Sequence, residues 1–274
     1  MKLGICLSTF QSNFGAIVFS TKDFKGNLNT ICELGYDGVD LFTHKLNDSE
    51  IFEINSFLKN VRLKISLLAA IWLTEKGSYI TDYDKDRRAQ AIKRYKSQIE
   101  VASKFGAENM PIGYSRGNQK ETETEESYQR RLAESLKELS ECADSKGVNL
   151  LIEPINRYEI NTLNRVDQAL EFISKYKLNS IKLLLDTYHM NIEERSIEKA
   201  IEISGSLIRH IHVADNNRLA PGEGHLNFDS IIRSISKTGY NGFLTVEALP
   251  IPSAYECAKS GIKFLRDEIV KYKK

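Results

Sequence analysis

Short apolar runs recur along the chain at intervals of roughly thirty residues. They are rich in Ile, Leu and Val and lack clean polar alternation, which is typical of parallel strands covered on both faces. The predicted strands are Leu3–Leu7, Gly38–Phe42, Ile65–Ile71, Asn109–Ile112, Leu150–Glu153, Ile181–Asp186, Ile208–Ala214 and Phe243–Glu247.

The segments between these runs are polar and amphipathic, with apolar residues at helical spacing. Several of them are followed at once by glycine, for example Gly35, Gly106 and Gly147, where a left-handed residue commonly ends a helix. The predicted helices are Phe24–Leu34, Ile51–Asn60, Asp86–Phe105, Glu125–Lys146, Val166–Tyr176, Ser196–Ser204, Asp229–Thr238 and Ala254–Tyr272.

Eight strands alternating with eight helices in 274 residues fit an α/β protein that forms one (β/α)₈ TIM barrel domain over residues 1–274. A doubly wound open sheet would alternate in the same way. That alternative is disfavoured because no Gly-x-Gly-x-x-Gly follows the first strand.

Composition narrows the class of protein further. The chain has 38 basic and 37 acidic residues, so its formal net charge is +1 and offers no basic patch for nucleic acid. Its four cysteines form no CxxC pair, which indicates reduced thiols. The N-terminus lacks a signal-peptide pattern, and the most apolar segment, Leu63–Leu73, is too short to span a membrane. We therefore expect a soluble cytoplasmic protein with no membrane or nucleic-acid partner.

Four metal-ligating side chains stand at the ends of four consecutive predicted strands: Glu153, Asp186, His212 and Glu247. The carboxyl ends of barrel strands line the active site, so these groups should meet at one point. Oxygen and nitrogen ligands without thiolate suit Mn²⁺, Mg²⁺ or Co²⁺ better than structural zinc. Each acid alone could instead cap a helix or begin a surface loop. His210, two residues before His212, shares its face and is predicted to pack more deeply.

The loops after these strands carry further polar side chains, as expected where a barrel keeps its substrate contacts. We expect Glu159, His189 and Arg218 to contact the substrate. Arg157 and Asp215 could equally form ion pairs between loops.

Several of these segments resemble the sugar isomerase/epimerase superfamily of xylose isomerase-like TIM barrels, and within it the D-tagatose and D-psicose 3-epimerase group. The segments that carry the resemblance are Glu153–Glu159, Asp186–Glu194, His212–Arg218 and Ala220–Leu226. The resemblance implies that Glu153, Asp186, His212 and Glu247 bind one divalent metal ion, with Mn²⁺ the first choice. It also implies that Glu159, His189 and Arg218 bind the oxygens of the sugar, and that the chain forms a homo-oligomer, a dimer or a tetramer.

Two further segments, Ser78–Asp84 and Ile112–Gly117, are similar to the 5-keto-L-gluconate epimerase branch, which acts on acidic keto-sugars. Arg116 in the second segment takes the place of an apolar wall in the psicose epimerases. A guanidinium can bind a substrate carboxylate with two parallel hydrogen bonds. A structural ion pair is an equal alternative for Arg116.

The predicted reaction is C3-type epimerisation of a ketose or keto-sugar acid through a metal-stabilised cis-enediolate. Glu153 and Glu247 end different strands, so they can approach the sugar from different faces as a general acid and base. Two alternatives stay open. An aldose–ketose isomerase of the hydroxypyruvate or inosose type would share the site, while a DNA-repair nuclease of the endonuclease IV kind would need more than the five histidines present.

Overall fold

The computed structural model describes residues 1–20 and 23–272, so residues 21, 22, 273 and 274 of the predicted domain lie outside it. Each of the eight predicted strands is found, with bounds that differ by no more than a residue or two. The strands are β1 (Lys2–Ser8), β2 (Gly38–Thr43), β3 (Lys64–Ala70), β4 (Asn109–Ile112), β5 (Asn149–Ile152), β6 (Lys182–Asp186), β7 (Ile208–Val213) and β8 (Phe243–Val246).

The strands are parallel and curl into a nearly closed barrel, which confirms the predicted TIM barrel. Each strand lies beside its neighbours in the chain, and β1 also pairs with β8 along Lys2–Ile5. This pairing of the first strand with the last excludes the doubly wound open sheet.

The barrel has one seam without a backbone ladder, between β3 and β4. The carbonyls of Glu108 and Ile112 accept from strand β5, so Pro111 turns its backbone towards β3. Proline has no N–H to donate, which removes a ladder hydrogen bond at this position. Side chains bridge part of the gap: the Asn109 amide donates to the Ser66 carbonyl at 3.0 Å, and the Tyr95 hydroxyl donates to the Pro111 carbonyl.

The helices surround the barrel, and every predicted helix is present. They are α1 (Phe24–Leu34), α2 (Asp48–Val61), α3 (Lys85–Phe105), α4 (Glu125–Lys146), α5 (Val166–Lys175), α6 (Thr187–Glu193), α7 (Ile197–Ser204), α8 (Phe228–Lys237) and α9 (Ala254–Val270). The short helix α6 was not predicted, and it begins directly at the end of β6. Turns of 3₁₀ helix add Ile71–Gly77, Tyr114–Arg116 and Gly205–Leu207.

Apolar side chains form two separate clusters. The larger one fills the layer between strands and helices. The smaller one lies inside the barrel and includes Phe42, Leu151 and Leu184. Because side chains two apart on a strand share a face, Leu151 and Leu184 place Glu153 and Asp186 on the interior side at the strand ends. In the described part of the chain, no helix is long and apolar enough to cross a membrane.

Candidate active site

The four side chains predicted as metal ligands converge at the carboxyl end of the barrel. Ligand atoms of Glu153, Asp186 and His212 all lie within 4.8 Å of one another. Glu247 joins them, with its Oε2 3.4 Å from His212 Nδ1, while Glu153 Oε1 lies 3.7 Å from the same nitrogen. All four residues are buried. The structure therefore brings together three carboxylates and one imidazole, each supplied by a different strand or by the residue that follows it.

A buried aspartate on β2 orients this imidazole. Asp40 Oδ2 lies 2.9 Å from His212 Nε2 and 2.7 Å from His210 Nε2. Its other oxygen accepts hydrogen bonds from the hydroxyls of Ser66 and Thr245. A carboxylate can only accept, so Nε2 of His212 carries a proton, and Nδ1 is turned towards Glu153 and Glu247. His210 lies one layer deeper, as its spacing predicts.

Charge interactions fix the ionisation of these groups. Burial alone would raise the pKa of Asp40, but His210 and His212 outweigh it and hold that pKa far below its usual range. Burial likewise favours a protonated Glu247, yet the charges of His212 and Arg218 lower the pKa of that carboxyl. For Asp186 the opposing effects of burial and Arg218 leave a pKa of about 2. These carboxyl groups are therefore ionised at neutral pH.

The site has the ligand atoms and the uncompensated negative charge that are typical of a divalent-metal site. His212 Nδ1 is buried and has no hydrogen-bond partner, although it faces carboxylate oxygens. An unpartnered buried nitrogen is rare unless it is a ligand. Glu153, Asp186 and Glu247 supply three carboxylates against the one guanidinium of Arg218. A histidine that binds a metal is neutral, so with His212 as a ligand the formal excess is two negative charges. One divalent cation would neutralise this excess and satisfy the free nitrogen.

Arg218 links two of the carboxylates. Its Nη1 lies 2.5 Å from Asp186 Oδ2, and its Nη2 donates to Glu247. The guanidinium carbon lies 4.7 Å from the centre of the Tyr188 ring, which covers its face. Arg218 has a positive φ of 61°, so the loop after β7 turns back sharply and aims this side chain into the barrel mouth.

His189 and Glu159 are joined through Asn156. The Asn156 Oδ1 accepts from the Tyr158 N–H at 3.0 Å, which fixes the amide orientation. Its Nδ2 then donates to Glu159 Oε1 at 2.7 Å and lies 2.8 Å from His189 Nδ1. This arrangement places the ring proton of His189 on Nε2, which points to Asp186 Oδ2 at 3.6 Å. His189 therefore lines the pocket beside the carboxylates and Glu159 lies at its rim, both held by a shared amide.

Arg116 does not reach the site. Its side chain is fully buried, and its guanidinium donates to the carbonyls of Ile112, Gly113 and Thr162 at 3.0 to 3.1 Å. Its position therefore gives no support to the predicted contact with a substrate carboxylate. The alternative of an ion pair with a nearby acid does not apply either, because its partners are backbone carbonyls.

Arg157 and Asp215, for which the sequence left open a substrate contact or an ion pair, both hold loop structure. Arg157 forms an ion pair with Glu193, with Nε and Nη2 2.9 and 2.8 Å from the two carboxylate oxygens. Asp215 accepts hydrogen bonds from three backbone N–H groups of its own loop, those of Asn216, Gly222 and Leu226. Both residues shape the rim of the barrel mouth.

A pocket of about 200 Å³, here called the inner pocket, opens beside the carboxylates. Its walls include Phe14, Phe42 and Leu67, while Glu153, His189, His212 and Glu247 line its charged side. Apolar walls with a few convergent polar groups are typical of a small-molecule site. The pocket also extends to Pro111 beside the seam between β3 and β4.

Asp40 is the site residue that the sequence analysis missed. It is a lone acid within the apolar strand Gly38–Thr43, and it is fully buried. Burying an unpaired carboxylate is costly, so an acid in the middle of such a strand signals a buried partner. That signal, with two histidines at alternate positions of another strand, could have identified the cluster.

Comparisons with known proteins agree with this architecture. Residues 28–268 match the model of the xylose isomerase-like TIM barrel family. The chain is 28% identical to a D-psicose 3-epimerase of Ruminiclostridium cellulolyticum, with 97% of this chain and 89% of that protein covered. It is 26% identical to a 3-dehydro-D-guloside 4-epimerase of Escherichia coli, with 79% and 84% covered. The structure of an L-ribulose 3-epimerase superposes with a TM-score of 0.84 at 23% identity, over 99% of this chain and 95% of that one. The chain belongs to the xylose isomerase-like TIM barrel family.

Proposed function

We propose that this protein is a metal-dependent epimerase of a ketose or keto-sugar. The observation that carries the proposal is the meeting of Glu153, Asp186, Glu247 and the unpartnered His212 Nδ1 at the open end of the barrel. The relatives add support, since they include a ketose 3-epimerase and a 4-epimerase that acts on a keto-glycoside.

The residues proposed to hold one divalent ion are Glu153, Asp186, His212 and Glu247. Their oxygen and nitrogen donors fit Mn²⁺, with Mg²⁺ and Co²⁺ as alternatives. When bound, such an ion acts as a Lewis acid towards the carbonyl and hydroxyl oxygens of the sugar and so stabilises an enediolate. Asp40 keeps His212 in the tautomer that leaves Nδ1 free for this role.

Glu153 and Glu247 are the proposed proton-transfer pair. They flank His212, with their oxygens 3.7 and 3.4 Å from the same nitrogen. One carboxylate removes the proton from the carbon beside the ketone, and the C–H electron pair moves into the enediolate. The other carboxyl group, which has taken up a proton from solvent, returns that proton to the opposite face of that carbon. The substrate thus keeps its composition and its carbonyl position, and only the configuration changes.

Arg218, His189 and Glu159 are proposed to hold the oxygens of the sugar. Arg218 and the Nε2–H of His189 donate, and both point at the cluster of carboxylates, where charge develops on the substrate oxygens. Glu159 accepts from Asn156 and from the Tyr114 hydroxyl, so it is preorganised at the rim.

The position of Arg116 bears on whether the substrate is neutral or acidic. Since this guanidinium is fully buried, donates to backbone carbonyls and does not line the inner pocket, the proposal favours a neutral keto-sugar over a keto-sugar acid. The predicted cytoplasmic location and the predicted dimer or tetramer stay predictions.

Assays of neutral ketoses and keto-glycosides with added Mn²⁺, with and without a chelator, test the proposal. We expect epimerisation that a chelator abolishes and that Mn²⁺ restores. Analysis of the product by NMR separates the two reactions that share this site, because epimerisation leaves the carbonyl in place and aldose–ketose isomerisation moves it. Turnover that is indifferent to the chelator would refute the proposed function.

A further inference from the structure

A second cavity, here called the outer groove, adjoins the inner pocket on the same face of the barrel. It has a volume of about 870 Å³ and is lined by the loops after β3, β4 and β5. Tyr114 and Thr74 line both cavities. The hydroxyl of Tyr114 donates to Glu159, which lines the groove, so the hydrogen bond lies at the junction of the two spaces.

The groove has the chemistry of a neutral carbohydrate site. Its lining combines the aromatic rings and hydroxyls of Tyr79 and Tyr83 with the amides of Asn118 and Gln119. Aromatic rings pack against the C–H faces of a sugar, while amides and hydroxyls both donate and accept hydrogen bonds. Tyr83 and Tyr114 are 42% and 39% exposed, so both keep accessible surface, and Lys120 Nζ lies 4.8 Å from the centre of the Tyr83 ring.

The aromatic wall is held in place before any ligand arrives. The Arg131 guanidinium carbon lies 4.0 Å from the centre of the Tyr83 ring. Tyr79 packs on Gly117, where an added Cβ would lie 2.7 Å from the ring. Gly117 also has a positive φ of 66°, so only glycine suits both the backbone and the ring there. A rigid wall reduces the entropy lost on binding.

The charges around the groove argue against an anionic ligand. Arg87 is engaged by Asp82 at 2.9 Å and by the Gly77 carbonyl at 2.6 Å. Among the lining residues, the acidic side chains are Asp82, Asp84, Glu123 and Glu159, against two basic ones, Arg87 and Lys120. A phosphate or carboxylate would meet an acidic surface there, whereas a neutral sugar would find many hydrogen-bond partners.

We infer that the outer groove is a second sugar subsite, and that the substrate is a neutral keto-glycoside whose second ring lies in the groove while its keto-sugar ring lies in the inner pocket. This inference rests on the proposed function and names its substrate class. Binding energy from the remote ring would then raise kcat/KM, because an enzyme can use such contacts to position the reacting ring.

The test compares two substrates on the full chain with added Mn²⁺: a methyl 3-keto-glucoside and the 3-keto disaccharide in which a glucosyl unit replaces the methyl group. We expect kcat/KM for the disaccharide to be higher by at least about tenfold. Tyr79→Ala should reduce that ratio by about tenfold. Tyr255→Ala removes an exposed tyrosine on α9 outside both cavities and should leave the ratio unchanged.

A calorimetric titration with the unoxidised disaccharide, which has no ketone to react, gives a second readout. We expect binding that Tyr79→Ala weakens and Tyr255→Ala does not. Equal kcat/KM for the two substrates, or a preference that survives Tyr79→Ala, would overturn the inference. If simple ketoses are epimerised and neither keto-glycoside is, the subsite is wrong while the proposed function stands. If no keto-sugar of any kind is epimerised, both are wrong.

Discussion

Asp40→Asn tests whether a residue that does not bind the metal itself controls metal binding by orienting His212. The amide has nearly the shape of the carboxylate, so the packing of β2 is retained. It replaces a charged acceptor, however, with a group that can present N–H donors to His210 and His212. The amide oxygen of asparagine can still accept from Ser66 and Thr245, so the NH₂ group takes the place of the carboxylate oxygen that faces the histidines.

The magnitude follows from the two contacts at 2.7 and 2.9 Å that the charge supports. Hydrogen bonds to a charged group are worth about 1.5–3 kcal/mol each, and breaking a buried pair costs about 3–5 kcal/mol. We therefore expect the free energy of unfolding of the metal-free protein to fall by about 3–5 kcal/mol. Loss of the partner that orients a ligating histidine should weaken Mn²⁺ binding about 10–100-fold.

Urea unfolding of the metal-free protein and calorimetric titration with Mn²⁺ measure these two quantities. Asp144→Asn is the matched control, because Asp144 is exposed and accepts a single hydrogen bond from Ser180 on the outside of the barrel. Its Mn²⁺ affinity should equal that of the unsubstituted protein. A folded Asp40→Asn protein that binds Mn²⁺ with undiminished affinity would refute the reasoning that Asp40 sets the tautomer of His212.

Three further substitutions test other contacts of the site. Gly113→Ala would place a methyl group 3.0 Å from Glu153 Oε2, so kcat should fall by about tenfold. An unchanged kcat would show that Glu153 adapts freely. Arg116→Met removes the guanidinium donor from three buried carbonyls, of which Ile112 and Gly113 keep a backbone donor. It should lower the free energy of unfolding by about 1–3 kcal/mol. The ratio of kcat/KM for neutral and acidic keto-sugars should not move. A shift of that ratio towards neutral sugars would restore Arg116 as a carboxylate ligand. Arg218→Lys keeps one charge but cannot bridge two carboxylates, so kcat should drop at least about tenfold. Circular dichroism should show that the fold is intact. Full activity would exclude the bridging role.

The barrel and the convergence of the ligands could be predicted because both follow from the periodicity of the chain. Apolar runs located the strands, and a polar residue at the carboxyl end of a barrel strand faces the mouth wherever the barrel closes. Glu153, Asp186, His212 and Glu247 meet for this reason alone. No knowledge of the loops is needed to bring them together.

The features that escaped prediction depend on side-chain direction and on pairs distant in the sequence. Asp40 is 170 positions before His210, and only the closed barrel brings the two side chains together. Arg116 lies in a single 3₁₀ turn between Gly113 and Gly117, whose unusual backbone turns its guanidinium back onto nearby carbonyls. Such a turn cannot be derived from periodicity. Helix α6 was missed because seven residues are too few for a helical pattern to emerge.

The sequence contains a sign of the open seam beside β4, namely Pro111, but it does not show on which side of β4 the seam lies. Pro111 lies in an otherwise regular strand, where proline indicates an edge. Whether its missing N–H faces β3 or β5 depends on which neighbour pairs with the residues on either side of it. The structure shows that they pair with β5, so Pro111 faces β3.

The central claim is that Glu153 and Glu247 exchange a proton with the carbon beside the ketone. Epimerisation in deuterated water, followed by NMR of the product, tests it most directly. The claim predicts one deuterium at the inverted carbon, an unmoved carbonyl, and loss of both inversion and deuterium uptake in the metal-supplied Glu247→Gln protein. Inversion without solvent deuterium, or a Glu247→Gln protein that inverts the sugar at the original rate, would contradict it.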